Sequence, residues 1–280
     1  MIIIRDPVLL KKELVKIRNQ KLLTGFVPTM GALHDGHISL IKQCKESCGF
    51  TICSIFVNPT QFNNKEDLQK YPKTLEQDID LLESEGCDLL FLPEIIDIYP
   101  DDYEAEYFEL GELDKKWEGK FRPGHFQGVC QVVSILLSLI APDQLFLGEK
   151  DYQQCLVLCR LAELQKWKTK IVICPTLREK DGLAMSSRNR RISISDRTGA
   201  AAIFNALCCL RQQLSEGNVE TTRKECEKIM THEGFKIEYF AIIDDQLNEV
   251  TSWNGATPLR GIVAASLGEV RLIDNMRITD

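Results

Sequence analysis

No Cys-x-x-Cys pair occurs in this 280-residue chain, although eleven cysteines do. That spacing serves zinc sites and dithiol redox centres, so neither is indicated. The pairs Cys44/Cys48 and Cys155/Cys159 instead lie one helical turn apart in amphipathic stretches. An odd count in a chain of this length does not fit the disulfide framework of small secreted domains. The cysteines read as reduced, mostly buried thiols acting as small apolar residues, in a reducing, cytoplasmic compartment.

A basic excess is missing too: 34 Lys and Arg stand against 41 Asp and Glu, a net charge of -7. Broad nucleic-acid binding needs many phosphate-neutralising cations, so no nucleic-acid partner is expected. Long apolar runs are absent. The most apolar helical stretch, Gly128 to Ile140, is interrupted by Gln131, Ser134 and Ser138 and stops before Pro142, short of the roughly 20 residues a bilayer requires. The N-terminal segment has no apolar core or cleavage pattern of a signal peptide, so no membrane partner is expected. With 44% hydrophobic and 27% charged residues, the composition is that of a soluble globular protein.

What the chain does contain is alternation. Five β-rich runs, Leu23–Pro28, Thr51–Val57, Cys87–Pro93, Gln144–Leu147 and Lys170–Cys174, are separated by helical patterns. The helical stretches are His37–Cys48, Leu75–Glu85, Gly128–Ile140 and Asp151–Gln165. Nearly continuous apolar strands between helices predict an α/β fold, a parallel sheet covered on both faces. The polar and aromatic segment Asp97–Phe126 interrupts the pattern as an excursion near the site. From residue 177 onward the order changes to two helices, Ser195–Leu214 and Val219–Glu233, and then strands at Ile237–Ile243, Gly261–Leu267 and Val270–Ile273. This predicts a first domain over 1–176 and a smaller α+β domain over 177–280.

The unusual polar residues cluster after strands: 28–37, 58–61, 148–154 and 177–188 each follow a carboxyl end. Ligands bind in the crevice outside those ends in open α/β sheets. The first cluster, PTMGALHDGH, offers Gly31 for a tight turn and Gly36 for close ring approach. His34 and His37 share a face at a helix start, where N–H groups and the dipole favour phosphate. An isolated His-x-x-His is more often two surface histidines. Strand, glycine turn, His-Asp-Gly-His and helix together resemble the phosphate-binding element of the nucleotidyltransferase superfamily. The cluster REKDGLAMSSRN, Arg178 to Asn189, presents Ser186 and Ser187 hydroxyls and the planar fork of Arg188; its bland alternative is a polar interdomain loop whose serine caps a helix. In FLGEKDYQQ, Lys150 can neutralise phosphate and Asp151 can cap the next helix.

PTMGALHDGH, SIFVNPTQF (54–62), RPGHFQGV (122–129), FLGEKDYQQ (146–154) and DGLAMSSRN (181–189) together resemble, in order and spacing, the motifs of the pantothenate synthetase (pantoate–β-alanine ligase) family. The resemblance is strong over about residues 20–190 and weaker beyond, carried there mainly by RLIDN (271–275). It implies a Rossmann-like N-terminal domain, a smaller C-terminal lid and a homodimer. It implies that Met30, Gly31, Ala32, Leu33, His34, Asp35, Gly36 and His37 hold ATP, with His37 as catalytic proton donor. Gly148, Glu149, Lys150, Asp151, Leu177, Met185, Ser186, Ser187 and Arg188 fall on the other ATP contacts. Gln61 would contact pantoate beside the β-alanine position, Gln154 would bind pantoate, and Asp78 would lie at a magnesium site. Three departures stand out: Arg190-Arg191-Ile192 after SRN, Gln131 in place of Thr, and Gln77 where some members carry a second acid.

The reaction so implied has two steps: ATP adenylates a pantoate carboxylate, and a β-alanine amine then displaces AMP. His34, His37, Lys150 and Arg188 are expected to stabilise phosphate charge, with magnesium bridging phosphate oxygens. Gln61 and Gln154 suit pantoate's hydroxyls and carboxylate without burying a second charge. The rivals are a nucleotidyltransferase that retains AMP on its product, such as a phosphopantetheine adenylyltransferase, and an ATP-sensing module without turnover.

Overall fold

The computed structural model describes residues 1–279, which divide into two compact units. The first comprises Met1–Glu149 and Gln153–Pro175; the second comprises Lys150–Tyr152 and the chain from Thr176 on.

The first unit is a parallel six-stranded sheet with helices on both faces. Its strands are β1 (Ile2–Ile4), β2 (Thr24–Thr29), β3 (Phe50–Ile55), β4 (Leu89–Phe91), β5 (Gln144–Gly148) and β6 (Lys170–Cys174), in the order β1-β4-β3-β2-β5-β6. The intervening helices are α1 (Pro7–Asn19), α2 (Asp35–Ser47), α3 (Lys65–Gln69), α4 (Leu75–Ser84), α5 (Ile95–Ile98), α6 (Trp117–Phe121), α7 (His125–Ile140) and α8 (Tyr152–Leu164). The five strands expected from the sequence form. Added to them is β1, which pairs with β4 from Ile2↔Leu89 to Ile4↔Phe91.

Both sheet faces are buried, which is why the central strands are apolar throughout. One face packs Phe26, Ile52, Phe91 and Leu145 beneath α1, α7 and α8; the other packs Val27, Cys53, Leu90 and Phe146 beneath α2 and α4. Phe26, Phe91 and Phe146 are fully buried, and removing each from water contributes about 1.5–3 kcal/mol. A Cβ on Gly25 would collide with Cys44 and Cys48, so Cys44 of α2 and Cys48 at its C-cap serve helix–strand packing. Strand order reverses between β2 and β5, which pair through Gly25↔Gln144 and Phe26↔Leu145. That switch point is where such sheets leave a ligand crevice.

Segment 97–126 is not another repeat unit. Phe108 and Leu110 within it join the core, and Gln127 of α7 bonds both the Phe108 N–H and carbonyl. Gln131 donates to the Glu106 carbonyl at 3.2 Å, so this departure from the family pattern also ties the excursion to α7.

In the second unit, α9 (Ile194–Arg197), α10 (Ala202–Gln213) and α11 (Val219–His232) precede an antiparallel sheet of β7 (Lys236–Ile243), β8 (Arg260–Leu267) and β9 (Val270–Arg277) in the order β7-β8-β9. The single helix expected over 195–214 is two. Ser193 caps α9, whereas a Cβ on Gly199 would sit 2.9 Å from a Glu233 carboxylate oxygen. Ile192 packs against this unit's core. None of the eleven cysteines, all within the described residues, is in a disulfide. Burial pushes the Cys44, Cys87 and Cys130 thiols up to about 12, which keeps them uncharged.

Candidate active site

The loop after β2 is built to expose a helix start. Gly31 has φ +70°, a conformation that disfavours side chains. His34 is the N-cap of α2 and accepts the Gly36 N–H at Nδ1, 3.1 Å away. A neutral His34 ring therefore carries its proton on Nε2, which becomes a donor. The His34 and His37 rings lie 4.0 Å apart, and Asp35 in the first turn matches the positive helix end. Met30, Gly31, Ala32 and Leu33 lead into this turn, with Ala32 and Leu33 buried.

The loop is braced from beneath by α4 and the residues before it. Tyr71 donates its hydroxyl to the Gly31 carbonyl at 2.9 Å, and Asp78 Oδ1 accepts the Leu33 N–H at 2.8 Å and the Thr74 hydroxyl at 2.9 Å. Asp78 is 2% exposed, and its Oδ2 lies 2.8 Å from where a Gly31 Cβ would project. Gln77 beside it is exposed. Among the described residues no group of three or more His, Cys, Asp or Glu could hold a metal ion. Through Oδ1, Asp78 thus braces the His-bearing loop.

Gln61 sits in a short 3-10 turn, Pro59–Gln61, after β3. Its Oε1 accepts from Asn58 Nδ2 at 3.1 Å, and its Nε2 approaches Met30 Sδ at 3.0 Å. The amide is thereby oriented beside the first residue of the histidine loop. Asn58 is 1% exposed and fully used: Oδ1 accepts the Thr60 N–H, the Thr60 hydroxyl and the Tyr99 hydroxyl, and Nδ2 also donates to the Gly128 carbonyl. Burial pushes the Tyr99 phenol up to about 12, so it remains a donor. His125 Nδ1 and Arg122 Nη2 both donate to the Gln61 carbonyl, at 2.8 and 3.4 Å. RPGHFQGV is thus the seat of the Gln61 turn. Sequence reasoning did not single out Asn58, Arg122, His125 or Gly128 as site residues, although the quoted motifs contain all four.

At the end of β5, the Gly148 carbonyl accepts from Cys155 Sγ at 3.4 Å, and Glu149–Asp151 form a 3-10 turn. Gln154 is half-buried in the first turn of α8, whereas its neighbour Gln153 is buried and structural, bonding the Glu118 N–H and the Leu113 and Lys116 carbonyls.

The second unit holds the other expected residues. Lys150 Nζ lies 3.6 Å from Asp151. A hairpin from Leu177 brings Met185 N–H to the Leu177 carbonyl at 3.1 Å, with Arg178 and Ala184 bridged between them. Ser186 Oγ accepts the Arg188 N–H at 3.3 Å as N-cap of the 3-10 turn Ser187–Arg191. The capping role weighed as the bland alternative is therefore present. It leaves the hydroxyl hydrogen able to donate elsewhere.

A doubly covered parallel sheet with a histidine-bearing helix start at its switch point defines a Rossmann-like α/β protein. The family model described as pantoate-beta-alanine ligase matches residues 2–277, and the chain belongs to that family of ligases. It is 44% identical over 270 residues to the pantothenate synthetase of Bacteroides thetaiotaomicron, covering 96% of this chain and 95% of that one. It is 40% identical over 282 residues to that of Rubrobacter xylanophilus, covering 98% and 97%. The crystal structure of pantothenate synthetase from Thermus thermophilus superposes with a TM-score of 0.91 at 37% identity, covering all of both chains. The pantoate-beta-alanine ligase of Francisella tularensis, complexed with beta-gamma ATP and beta-alanine, gives 0.81 at 40% identity over 99% and 98% of the two chains.

Proposed function

We propose that the protein condenses pantoate with β-alanine at the expense of ATP, giving pantothenate, AMP and pyrophosphate. Most support comes from Gln61: its amide is oriented by Asn58 and lies 3.0 Å from Met30, the residue that opens the histidine loop. An amide suited to a carboxylate thus stands next to a helix start suited to phosphate. A pantoate carboxylate oxygen attacks the α-phosphorus of ATP, the bond from that phosphorus to the β-phosphate oxygen breaks, and pyrophosphate leaves. The β-alanine nitrogen then attacks the acyl carbon; the carbon–oxygen bond to AMP breaks and the nitrogen loses a proton.

Positioning and charge stabilisation are the protein's part, because adenylation itself supplies the leaving group. His34 Nε2 donates to phosphate oxygen, and His37 is the proton donor. Met30–His37, Gly148–Asp151, Leu177 and Met185–Arg188 are the ATP-holding residues of this reading. Gln61 and Gln154 take pantoate, with β-alanine beside Gln61. Magnesium arrives on the phosphate oxygens as part of the nucleotide substrate. In this reading residues 1–176 are the ATP- and pantoate-binding domain and 177–280 the smaller lid domain. The family resemblance supports a homodimer, and eleven cysteines outside any disulfide suit a cytoplasmic setting.

The test is exchange of labelled pyrophosphate into ATP. The exchange must depend on pantoate and proceed without β-alanine, and adding β-alanine must release AMP and pantothenate. Folded protein without pantoate-dependent exchange would sink the proposal, and AMP retained on the product would point to the adenylyltransferase rival.

A further inference from the structure

RLIDN places Asp274 and Asn275 on β9, 3% and 5% exposed. Asp274 receives a two-pronged bond from Arg178, Nη1 to Oδ2 at 2.6 Å and Nη2 to Oδ1 at 3.0 Å. The same guanidinium donates to the Gly182 carbonyl at 3.0 Å and the Asn275 carbonyl at 3.2 Å, and lies 4.6 Å from the Phe204 ring centroid. Arg178 is thereby fixed at the base of the hairpin that leads to Ser186, Ser187 and Arg188.

Asn275 holds the other segment. Its Nδ2 donates to the Lys150 carbonyl at 2.9 Å, and its Oδ1 accepts from Arg260 Nη1. A carbonyl on one side and a guanidinium on the other leave only one orientation for the amide. Arg260 also stacks on Tyr152, 3.9 Å from its ring centroid, so the three-residue turn Lys150–Tyr152 is gripped at both ends. A buried ion pair adds little net stability over an apolar core of the same volume. Its value here is geometric: two adjacent residues of one strand each fix a separate phosphate-directed segment.

We propose that Asp274 and Asn275 are a positioning pair for the proposed ATP site, Asn275 setting the backbone place of Lys150 and Asp274, through Arg178, the base of the Leu177–Arg188 hairpin. The inference rests on the reading of Lys150 as a phosphate ligand. Neither residue touches substrate; each acts through another.

A double-mutant cycle tests the Asn275 arm. Asn275→Asp keeps the shape and the acceptor for Arg260 but sets an oxygen against the Lys150 carbonyl. ATP affinity is measured by calorimetry, alongside thermal melting, for Asn275→Asp, Lys150→Ala and the double variant. Asn275→Ala carries the same cycle should the new carboxylate disturb folding. The expected result is a weakening of ATP binding by about 10- to 100-fold for Asn275→Asp, falling below about 3-fold in the Lys150→Ala background. Equal losses in both backgrounds, or no loss in the parent, would overturn the positioning role while leaving the Lys150 reading intact. Unchanged ATP binding in Lys150→Ala would overturn that reading and the positioning role with it.

Discussion

Gly128→Ala is the substitution whose consequence follows most directly from the geometry. An added Cβ would stand 2.6 Å from the Thr60 carbonyl oxygen, 2.7 Å from its carbon and 2.9 Å from the Gln61 nitrogen. The shortest of these falls 0.8 Å below the 3.4 Å at which ordinary contact begins. All three neighbours are backbone, so no side chain can swing aside. The Pro59–Gln61 turn must lift from α7, stretching the Asn58 bond to the Gly128 carbonyl and the His125 bond to the Gln61 carbonyl. Overpacking of this kind costs about 1–3 kcal/mol of stability, and a displacement approaching 1 Å costs up to about 100-fold in rate. Steady-state kinetics should show kcat/KM for pantoate falling by roughly 10- to 100-fold, while ATP affinity by calorimetry stays close to the parent's. A variant with normal pantoate kinetics, or one losing ATP affinity in equal measure, would refute the claim that α7 seats Gln61.

His34→Ala removes both a cap and an Nε2 donor, and should slow pyrophosphate exchange by about 100- to 1,000-fold; His34→Asn should restore the melting temperature, since Asn caps well, without restoring the rate. Asp78→Asn keeps an acceptor for Leu33 and Thr74, so the magnesium concentration for half-maximal rate should not move, whereas Asp78→Ala should raise KM for ATP. A tenfold greater magnesium requirement in Asp78→Asn would make the carboxylate a metal ligand after all. Hydrogen bonds from Arg223 and Lys224 lower the Glu220 carboxyl from 4.5 to about 2. Its folded value lies below its unfolded one, so its contribution is complete above pH 4.5 and disappears as pH falls toward 2. Glu220→Gln should melt lower than the parent at pH 7, by about 1 kcal/mol or less for so exposed a pair, and the gap should close under acid; a gap unchanged at pH 3 would contradict this.

Much of the fold was legible because the central strands are buried on both faces and read as apolar runs. β1 was not: three residues at the sheet edge, with Ile2 and Ile3 each 42% exposed, give no periodicity to find. The break between α9 and α10 was hidden because a helical pattern continues through Gly199, and only its approach to Glu233 marks the gap. At the site, residue types were visible and their support was not. Gly128 holds Asn58, and His125 holds the Gln61 carbonyl, through side chain–backbone bonds between segments more than 60 residues apart. Asp78 shows the same: the sequence offers an acid, and only the structure shows one of its oxygens on the Leu33 N–H.

The central claim, activation of the carboxylate by adenylation, is tested most directly by oxygen transfer. Pantoate labelled with ¹⁸O in its carboxylate is turned over with ATP and β-alanine, and the nucleotide product is weighed by mass spectrometry. Attack on the α-phosphorus predicts one labelled oxygen in each AMP and none in pyrophosphate. Unlabelled AMP, or label appearing in inorganic phosphate, would contradict the account.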